Sequence, residues 1–207
     1  MAEASEKTSL RGQLIEAGMD ELNEYGYQNF SVRRIAAKCG VSCAAPYKHF
    51  KDKHNFVAAI LEHINTIWTA RQEAVIEKFA GDKRRQIVEI SLEYIRFLVE
   101  VPYFRSAIML KDENFDKEFN RPRGRLSAIS RQLIIDYCDD NGIPDSVRLA
   151  KTFVIRSLIY GAALMFDNGE FEYSADNMEM VRRAIDHEIY SAIAGTDSAQ
   201  LYSPYGE

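Results

Sequence analysis

Residues 31–50 contain two short apolar-periodic segments separated by Gly40, and neither segment is long enough to form a stable helix alone. Ser31 and Ser42 each precede one of these segments, in the position of a helix N-cap. Two short helices joined by a glycine turn become stable when they pack at a steep angle against a third helix. The sequence therefore predicts a helix-turn-helix over this stretch.

The rest of the chain has apolar residues at helical spacing and no strand-like alternation. We predict an all-α protein with a three-helix N-terminal domain at residues 8–64, a second helical domain at 65–195 and a flexible tail at 196–207. The predicted helices are Thr8–Tyr25, Val32–Cys39, Cys43–Phe50, 53–79 capped by Asp52, Lys83–Glu100, Gly124–Asp140, Asp145–Asp167 and Ala175–Ala194.

Charge is distributed unevenly along the chain, whose net charge is −5. Between residues 28 and 54 six cations stand against one acid, Asp52, so this stretch alone carries +5. The cations are Arg33, Arg34, Lys38, Lys48, Lys51 and Lys53. A short basic run is sometimes only a solvated face, but a basic end on an acidic chain is typical of a protein that binds a polyanion. Because an α-helix fits the major groove, the helix-turn-helix indicates double-stranded DNA as the partner.

The same stretch resembles the DNA-binding domain of the tetracycline-repressor (TetR) family of bacterial regulators. The family pattern occurs in order and at family spacing as Gly26-Tyr27, Ser31-Val32, Ile35-Ala36, Gly40-Val41-Ser42, Tyr47-x-His49-Phe50 and Lys53. The resemblance implies a transcriptional repressor that binds a palindromic operator as a homodimer and is released by a small-molecule effector. Two residues depart from the pattern, since Gly18 stands in place of the usual alanine and Arg34 in place of a common acidic residue.

The resemblance also implies which residues contact DNA. It implies phosphate contacts at Ser31 and Lys53. Arg34 departs from the family pattern, and because its charge opposes the dipole of its own helix, we expect a phosphate beside it as well. Tyr47 and His49 are expected on the DNA backbone, the alternative being that the tyrosine packs in the core and the histidine caps a helix. The full predicted set is Ser31, Arg33, Arg34, Ser42, Cys43, Ala44, Ala45, Tyr47, Lys48, His49 and Lys53, of which Cys43, Ala44, Ala45 and Lys48 face the groove.

The second domain is rich in aromatic residues, which either fill a core or line an apolar effector pocket. The predicted pocket residues are Tyr94, Phe97, Phe104, Met109, Phe153, Arg156 and Tyr160. Arg156 lies in an apolar helix, where a buried cation would need a partner. It would bind an anionic effector group or, in our preferred interpretation, pair with a carboxylate of a neighbouring helix.

The last two long helices carry stripes suited to self-association. Two copies would form a four-helix interface with two-fold symmetry. The predicted interface residues are Phe153, Ser157, Gly161, Leu164, Val181, Ile185 and Ile189.

Other function classes find less support in the sequence. Three cysteines, a polar start and no apolar run of about 18 residues predict a cytoplasmic protein without a membrane partner. The four histidines are scattered, and Cys39, Cys43, His49 and His54 lack zinc-finger spacing, so we predict no enzyme activity, no metal and no cofactor. The alternatives are a regulator switched by a protein partner or by cysteine oxidation, and an all-helical enzyme.

Overall fold

A computed structural model describes residues 9–101 and 127–193, and these residues form helices and no strands. The all-α prediction is therefore confirmed. The helices are α1 Leu10–Tyr25, α2 Val32–Lys38, α3 Lys53–Lys78, α4 Lys83–Glu100, α5 Ala128–Asp140, α6 Asp145–Asp167 and α7 Ala175–Ile193, with a 3-10 turn at Pro46–Lys48. The tail predicted at 196–207 lies outside the described residues.

The chain divides into two compact units. Of the described residues, the first unit contains 9–68 with 101, and the second contains 69–100 with 127–193. The division falls within α3, whose helix is continuous through residue 68. The sequence placed the domain boundary after residue 64.

Side-chain caps begin α2 and α3 where the sequence predicts them. Ser31 Oγ accepts the amide N–H of Arg34 at the start of α2 (3.3 Å), and Asp52 Oδ1 accepts that of Asn55 at the start of α3 (2.8 Å). Each cap satisfies an amide that has no partner within its own helix. These bonds fix where the two helices begin.

Three aromatic rings contact one another in the core of the first unit. Phe56 stacks on Phe50 with ring centroids 4.0 Å apart and meets Phe30 edge-on at 5.5 Å. Gly18 of α1 faces this core, where a Cβ atom would come within 2.7 Å of Ile60 Cδ1. The glycine that departs from the family pattern thus permits a close approach of α1 to α3.

The predicted helix Cys43–Phe50 is wrong. The segment is a turn followed by the 3-10 turn, with i to i+3 bonds such as Ala45 N–H to the Ser42 carbonyl (2.9 Å) and Lys48 N–H to the Ala45 carbonyl (3.1 Å). Pro46 is the physical reason, because it cannot donate to Ser42 and its ring crowds that carbonyl in an α-helix. The segment keeps a compact helical path without a full α-helix.

In the second unit, α4, α6 and α7 pack on one another and α5 packs on α4. Ion pairs join these helices, with Arg84 bound to Asp186 through two contacts of 2.8 Å. Lys151 of α6 is buried and donates to Glu188 Oε2 (2.8 Å) and Ser191 Oγ (2.7 Å) of α7. Charges removed from water are thereby compensated.

One described helix, α6, is long and apolar enough by length and composition to cross a membrane, with a mean hydropathy of 1.4 over 18 residues. The sequence-based expectation that no segment approaches this length was therefore wrong. Core helices of soluble proteins meet the same criterion, and α6 packs against α4 and α7.

Candidate nucleic-acid interface

The residues from Ser42 to Lys51 form a largely exposed surface that ends the helix-turn-helix, and we call it the recognition surface. Two buried residues, Pro46 and Phe50, anchor it to the first unit, and Ala45 is half-buried. Tyr47 is 55% exposed, so its side chain is not packed in the core. The other exposed residues are Ser42, Cys43, Ala44, Lys48, His49 and Lys51.

Three cations of the basic run are available to a ligand. Within the described part of the chain, the side chains of Arg33, Lys48 and Lys51 are exposed and form no hydrogen bond or ion pair. Lys38, in contrast, donates to Asp20 Oδ2 of α1, and this bond raises the pKa of Lys38 above its usual value. The positive charge that remains uncompensated therefore lies on Arg33 and on the recognition surface.

Arg34 has partners within the protein. Its guanidinium is paired with Glu21 of α1, donates to the Asn29 carbonyl (2.6 Å) and lies 4.1 Å from the ring centroid of Tyr25. The hydrogen bond with Glu21 raises the pKa of Arg34 above its usual range. The carboxylate also offsets the unfavourable position of a cation at a helix N-terminus, so the premise that Arg34 needs a phosphate there was wrong.

The two predicted phosphate-binding residues at helix starts are also held by the protein. The Ser31 amide N–H donates to Glu21 Oε1 (2.9 Å), while its hydroxyl caps α2. Lys53 Nζ lies 4.6 Å from the ring centroid of Tyr27 and donates to the Gln28 carbonyl at 3.4 Å. Both side chains are only half-buried, so they still border solvent.

Two residues, one in this surface and one on α1, were missing from the predicted site. Lys51 belonged to the basic run but not to the predicted contacts. Glu21 was not considered, although an acid one residue before Leu22 on the apolar face of a helix signals a buried charge that needs a cation. In the folded chain, Lys51 is identified by its exposure and Glu21 by its pairing with Arg34.

The predicted effector residues are only partly brought together. Arg156 donates to the Tyr160 hydroxyl (3.3 Å), and the Tyr160 ring meets that of Tyr94 edge-on at 6.1 Å. Burial raises the pKa of Tyr94, and the neighbouring Tyr160 adds to the effect. Arg156 is exposed, so the prediction of a buried cation with a carboxylate partner was wrong.

The remaining members of that set lie elsewhere. Phe97 is fully buried, with the Arg71 guanidinium 5.0 Å from its ring centroid, whereas Phe153 is 72% exposed. Phe104 and Met109 lie outside the described residues. Tyr94, Tyr160 and Arg156 thus form one cluster in the second unit.

Of the predicted interface residues, those on α6 border solvent and those on α7 do not. Phe153 and Ser157 are exposed, Leu164 is 50% exposed and Gly161 is half-buried. Val181, Ile185 and Ile189 of α7 are buried within a single subunit, so they cannot supply an exposed interface. The apolar stripe of α7 faces its own core, and the exposed face of that helix carries Met180, Arg183, His187 and Tyr190.

The cysteines and other potential metal ligands are dispersed. Among residues 9–101 and 127–193 there is no group of three or more His, Cys, Asp or Glu side chains placed to hold a metal ion. Burial raises the pKa of the Cys39 and Cys138 thiols, which lowers their thiolate fraction, while Cys43 is exposed.

Known proteins are similar to this chain in sequence and in fold. Residues 14–60 match the family model of bacterial regulatory proteins, tetR family. An uncharacterized HTH-type transcriptional regulator of Bacillus subtilis (strain 168), YvkB, is 25% identical over 137 residues. That match covers 63% of this chain and 66% of YvkB, slightly less than two thirds of that protein.

Solved structures extend the likeness in fold to most of the chain. A putative transcriptional regulator from Pseudomonas aeruginosa PAO1 has a TM-score of 0.72, 18% identity and 93% coverage of both chains. The transcriptional regulator FadR from Bacillus subtilis, in complex with stearoyl-CoA, has a TM-score of 0.69 and 16% identity, covering 87% of this chain and 98% of its own.

A short helix and glycine turn followed by an exposed cationic segment, in a chain whose described secondary structure is helical, are typical of helix-turn-helix transcriptional regulators. Over residues 14–60 this chain resembles the tetR family of bacterial regulatory proteins. The predicted resemblance is thereby confirmed.

Proposed function

We propose that this protein is a cytoplasmic repressor that binds a palindromic operator as a homodimer and is released by a small-molecule effector. The observation that carries the DNA-binding role is the recognition surface, where Tyr47 and Lys48 are exposed on a segment anchored by two buried residues. Recognition of a DNA groove requires polar side chains that are exposed on a segment held rigidly by the core.

DNA recognition would divide between phosphates and bases. Arg33, Lys51 and Lys53 are suited to phosphates, because their charges border the helix-turn-helix on an otherwise acidic chain. Lys48 can donate to guanine O6 or N7, and Ala44 can contact a thymine methyl group. Tyr47 and His49 would hold the DNA backbone beside them.

Homodimerisation would use the exposed face of α6. Phe153 and Leu164 expose large apolar side chains there, and Ser157 and Gly161 allow a close approach of helices. Exposed apolar surface of this kind favours association. A two-fold dimer also presents two recognition surfaces to a DNA sequence of the same symmetry.

Effector binding is proposed for the second unit. Gln72 of α3 is fully buried there, and neither of its amide atoms has a hydrogen-bond partner among residues 9–101 and 127–193. Such burial is costly unless a bound molecule or another conformation satisfies the amide. Tyr94, Tyr160 and Arg156 supply further polar groups. FadR of Bacillus subtilis, whose fold is similar, was solved with stearoyl-CoA. Because α3 is one continuous helix, a ligand that shifts its second half would be linked to DNA affinity.

The test of the DNA-binding role uses a duplex that the wild-type protein enriches from a random pool. Replacing Tyr47 and Lys48 together with alanine should weaken binding to this duplex more than about 100-fold while the fold is retained. Arg183→Ala is the matched control, since it removes one exposed charge from the second unit. Equal affinity of the double variant and the control would contradict the proposal.

A further inference from the structure

The cations of α2 lie on two different sides of the helix. Arg34 and Lys38, four residues apart, bind Glu21 and Asp20, which are consecutive residues of α1. Arg33 is exposed and has no hydrogen bond or ion pair within the described ranges. One side of α2 therefore binds α1 through ion pairs, and the other side carries a cation that is accessible to a ligand. We call the first side the fastened edge.

Glu21 is the centre of the fastened edge. Its side chain is only 8% exposed, and it accepts from both the Ser31 amide and the Arg34 guanidinium. A carboxylate removed from water in this way requires its cation. Arg34 in turn contacts Asn29 and Tyr25, so its guanidinium is held by three groups at once.

The orientation of α2 is passed directly to the recognition surface. Gly40, at a φ of 68°, turns the chain, and Val41 N–H donates to the Ala36 carbonyl (3.0 Å) inside the last turns of α2. Only one residue then separates this bond from Cys43. A change in the tilt of α2 would therefore displace Tyr47 and Lys48.

We propose that Arg34 is a positioning residue, which with Glu21 fixes α2 on α1 and so aims the recognition surface, and that Arg33 is the phosphate contact of this helix. This inference rests on the proposed DNA-binding function. It divides two adjacent arginines into one that acts within the protein and one that acts on DNA.

The test compares Arg33→Gln with Arg34→Gln, two variants with the same loss of charge one residue apart. Affinity is measured by fluorescence anisotropy over a range of salt concentrations, on the enriched duplex and on an unrelated duplex of equal length. Loss of a phosphate contact should flatten the slope of log affinity against log salt by about 0.9 per subunit and weaken both duplexes alike. We expect this result for Arg33→Gln.

Arg34→Gln should behave differently. It should keep the wild-type salt slope and lose roughly tenfold affinity for the enriched duplex, with little change on the unrelated one, because positioning affects base recognition more than charge. A slope flattened as much as that of Arg33→Gln would overturn the inference. If Arg34 only stabilises the fold, its replacement would leave the ratio of the affinities for the enriched and the unrelated duplex unchanged at temperatures well below the melting temperature. That result would also overturn the inference.

A second variant covers the case in which Arg34→Gln does not fold. Glu21→Gln combined with Arg34→Gln leaves no uncompensated buried charge, and we expect it to fold with the wild-type salt slope. A flattened slope in this folded double variant would again contradict the positioning role. Absence of salt-dependent binding by the wild-type protein would instead contradict the proposed function itself.

Discussion

The Phe50 ring stacks on the Phe56 ring with centroids 4.0 Å apart and planes inclined by 5°. Phe50 belongs to the recognition surface and Phe56 lies in the first turn of α3, and both are buried. The stack is thus the contact that joins the exposed recognition surface to the core of the first unit. The neighbours of Phe50 along the chain are exposed. The side chain that anchors the surface in the core is therefore different from the side chains available to DNA.

Truncation of the buried Phe50 and of the exposed Tyr47 should affect protein stability and DNA binding differently. Phe50→Ala removes a buried ring and should lower the free energy of unfolding of the first unit by about 3 kcal/mol. Tyr47→Ala removes an exposed ring and should change it by less than about 0.5 kcal/mol, while weakening DNA binding. Denaturant unfolding and anisotropy measure the two effects. A large loss of stability in Tyr47→Ala would show that its ring is a core contact.

Replacements on α6 and α7 should separate association from folding. Phe153→Glu places a charge on the exposed face of α6 and should produce a folded monomer, measured by analytical ultracentrifugation. Ile185→Ala, at a fully buried position of α7, should lower the free energy of unfolding by about 3 kcal/mol and leave association intact in the folded protein. A Phe153→Glu variant that is still dimeric would exclude this face of α6 as the interface.

Removing one partner of the ion pair between Lys151 of α6 and Glu188 of α7 should destabilise the protein more than removing both partners. Lys151→Ala leaves Glu188 without its cation and should destabilise the protein by about 3 kcal/mol. Replacing Lys151 with Met and Glu188 with Leu removes both charges and should recover most of that loss. Thermal unfolding of the two variants decides between these outcomes, and equal destabilisation in both would argue that packing alone matters at this site.

The three thiols should differ in their rates of alkylation by iodoacetamide at about pH 8. The raised pKa values of Cys39 and Cys138 lower their thiolate fractions below those of an ordinary thiol at this pH, and rates should rise as the pH approaches the raised values. Cys43 is exposed and should react first. Mass spectrometry of the labelled protein identifies the modified residue.

The enriched duplex should protect Cys43 from this reagent, because the recognition surface would then be covered. Cys138, in the second unit, serves as the internal control, and its rate should not respond to DNA. A Cys43 rate that is unaffected by saturating duplex would place the DNA on another surface.

Much of the first unit could be predicted from local sequence signals. Ser31 and Asp52 lie at helix starts and cap them, and Gly40 adopts the left-handed conformation that ends the turn. These features depend on a few neighbouring residues, so the sequence contains the information directly. The helix predicted at Cys43–Phe50 was wrong because hydrophobic spacing and the Ser42 cap do not register the contact of the Pro46 ring with the Ser42 carbonyl.

Features that depend on distant contacts were missed. The partner of Arg34 is Glu21, thirteen residues earlier, and no periodicity joins them. On α7 the stripe Val181, Ile185 and Ile189 was recognised as apolar, but an apolar stripe has the same pattern whether it meets its own core or a second subunit. Only the packing of α4 and α6 against that stripe decides between the two.

The central claim is tested most directly by in vitro selection from a pool of random duplexes, carried out in parallel with the wild-type protein and the Tyr47→Ala/Lys48→Ala variant. The wild-type protein should enrich a sequence of two-fold symmetry whose half-sites are spaced by about one helical turn, roughly 34 Å, or a multiple of it. The variant should enrich none. Failure of the wild-type protein to enrich any sequence, or enrichment of the same sequence by both proteins, would contradict a dimer that reads DNA through Tyr47 and Lys48.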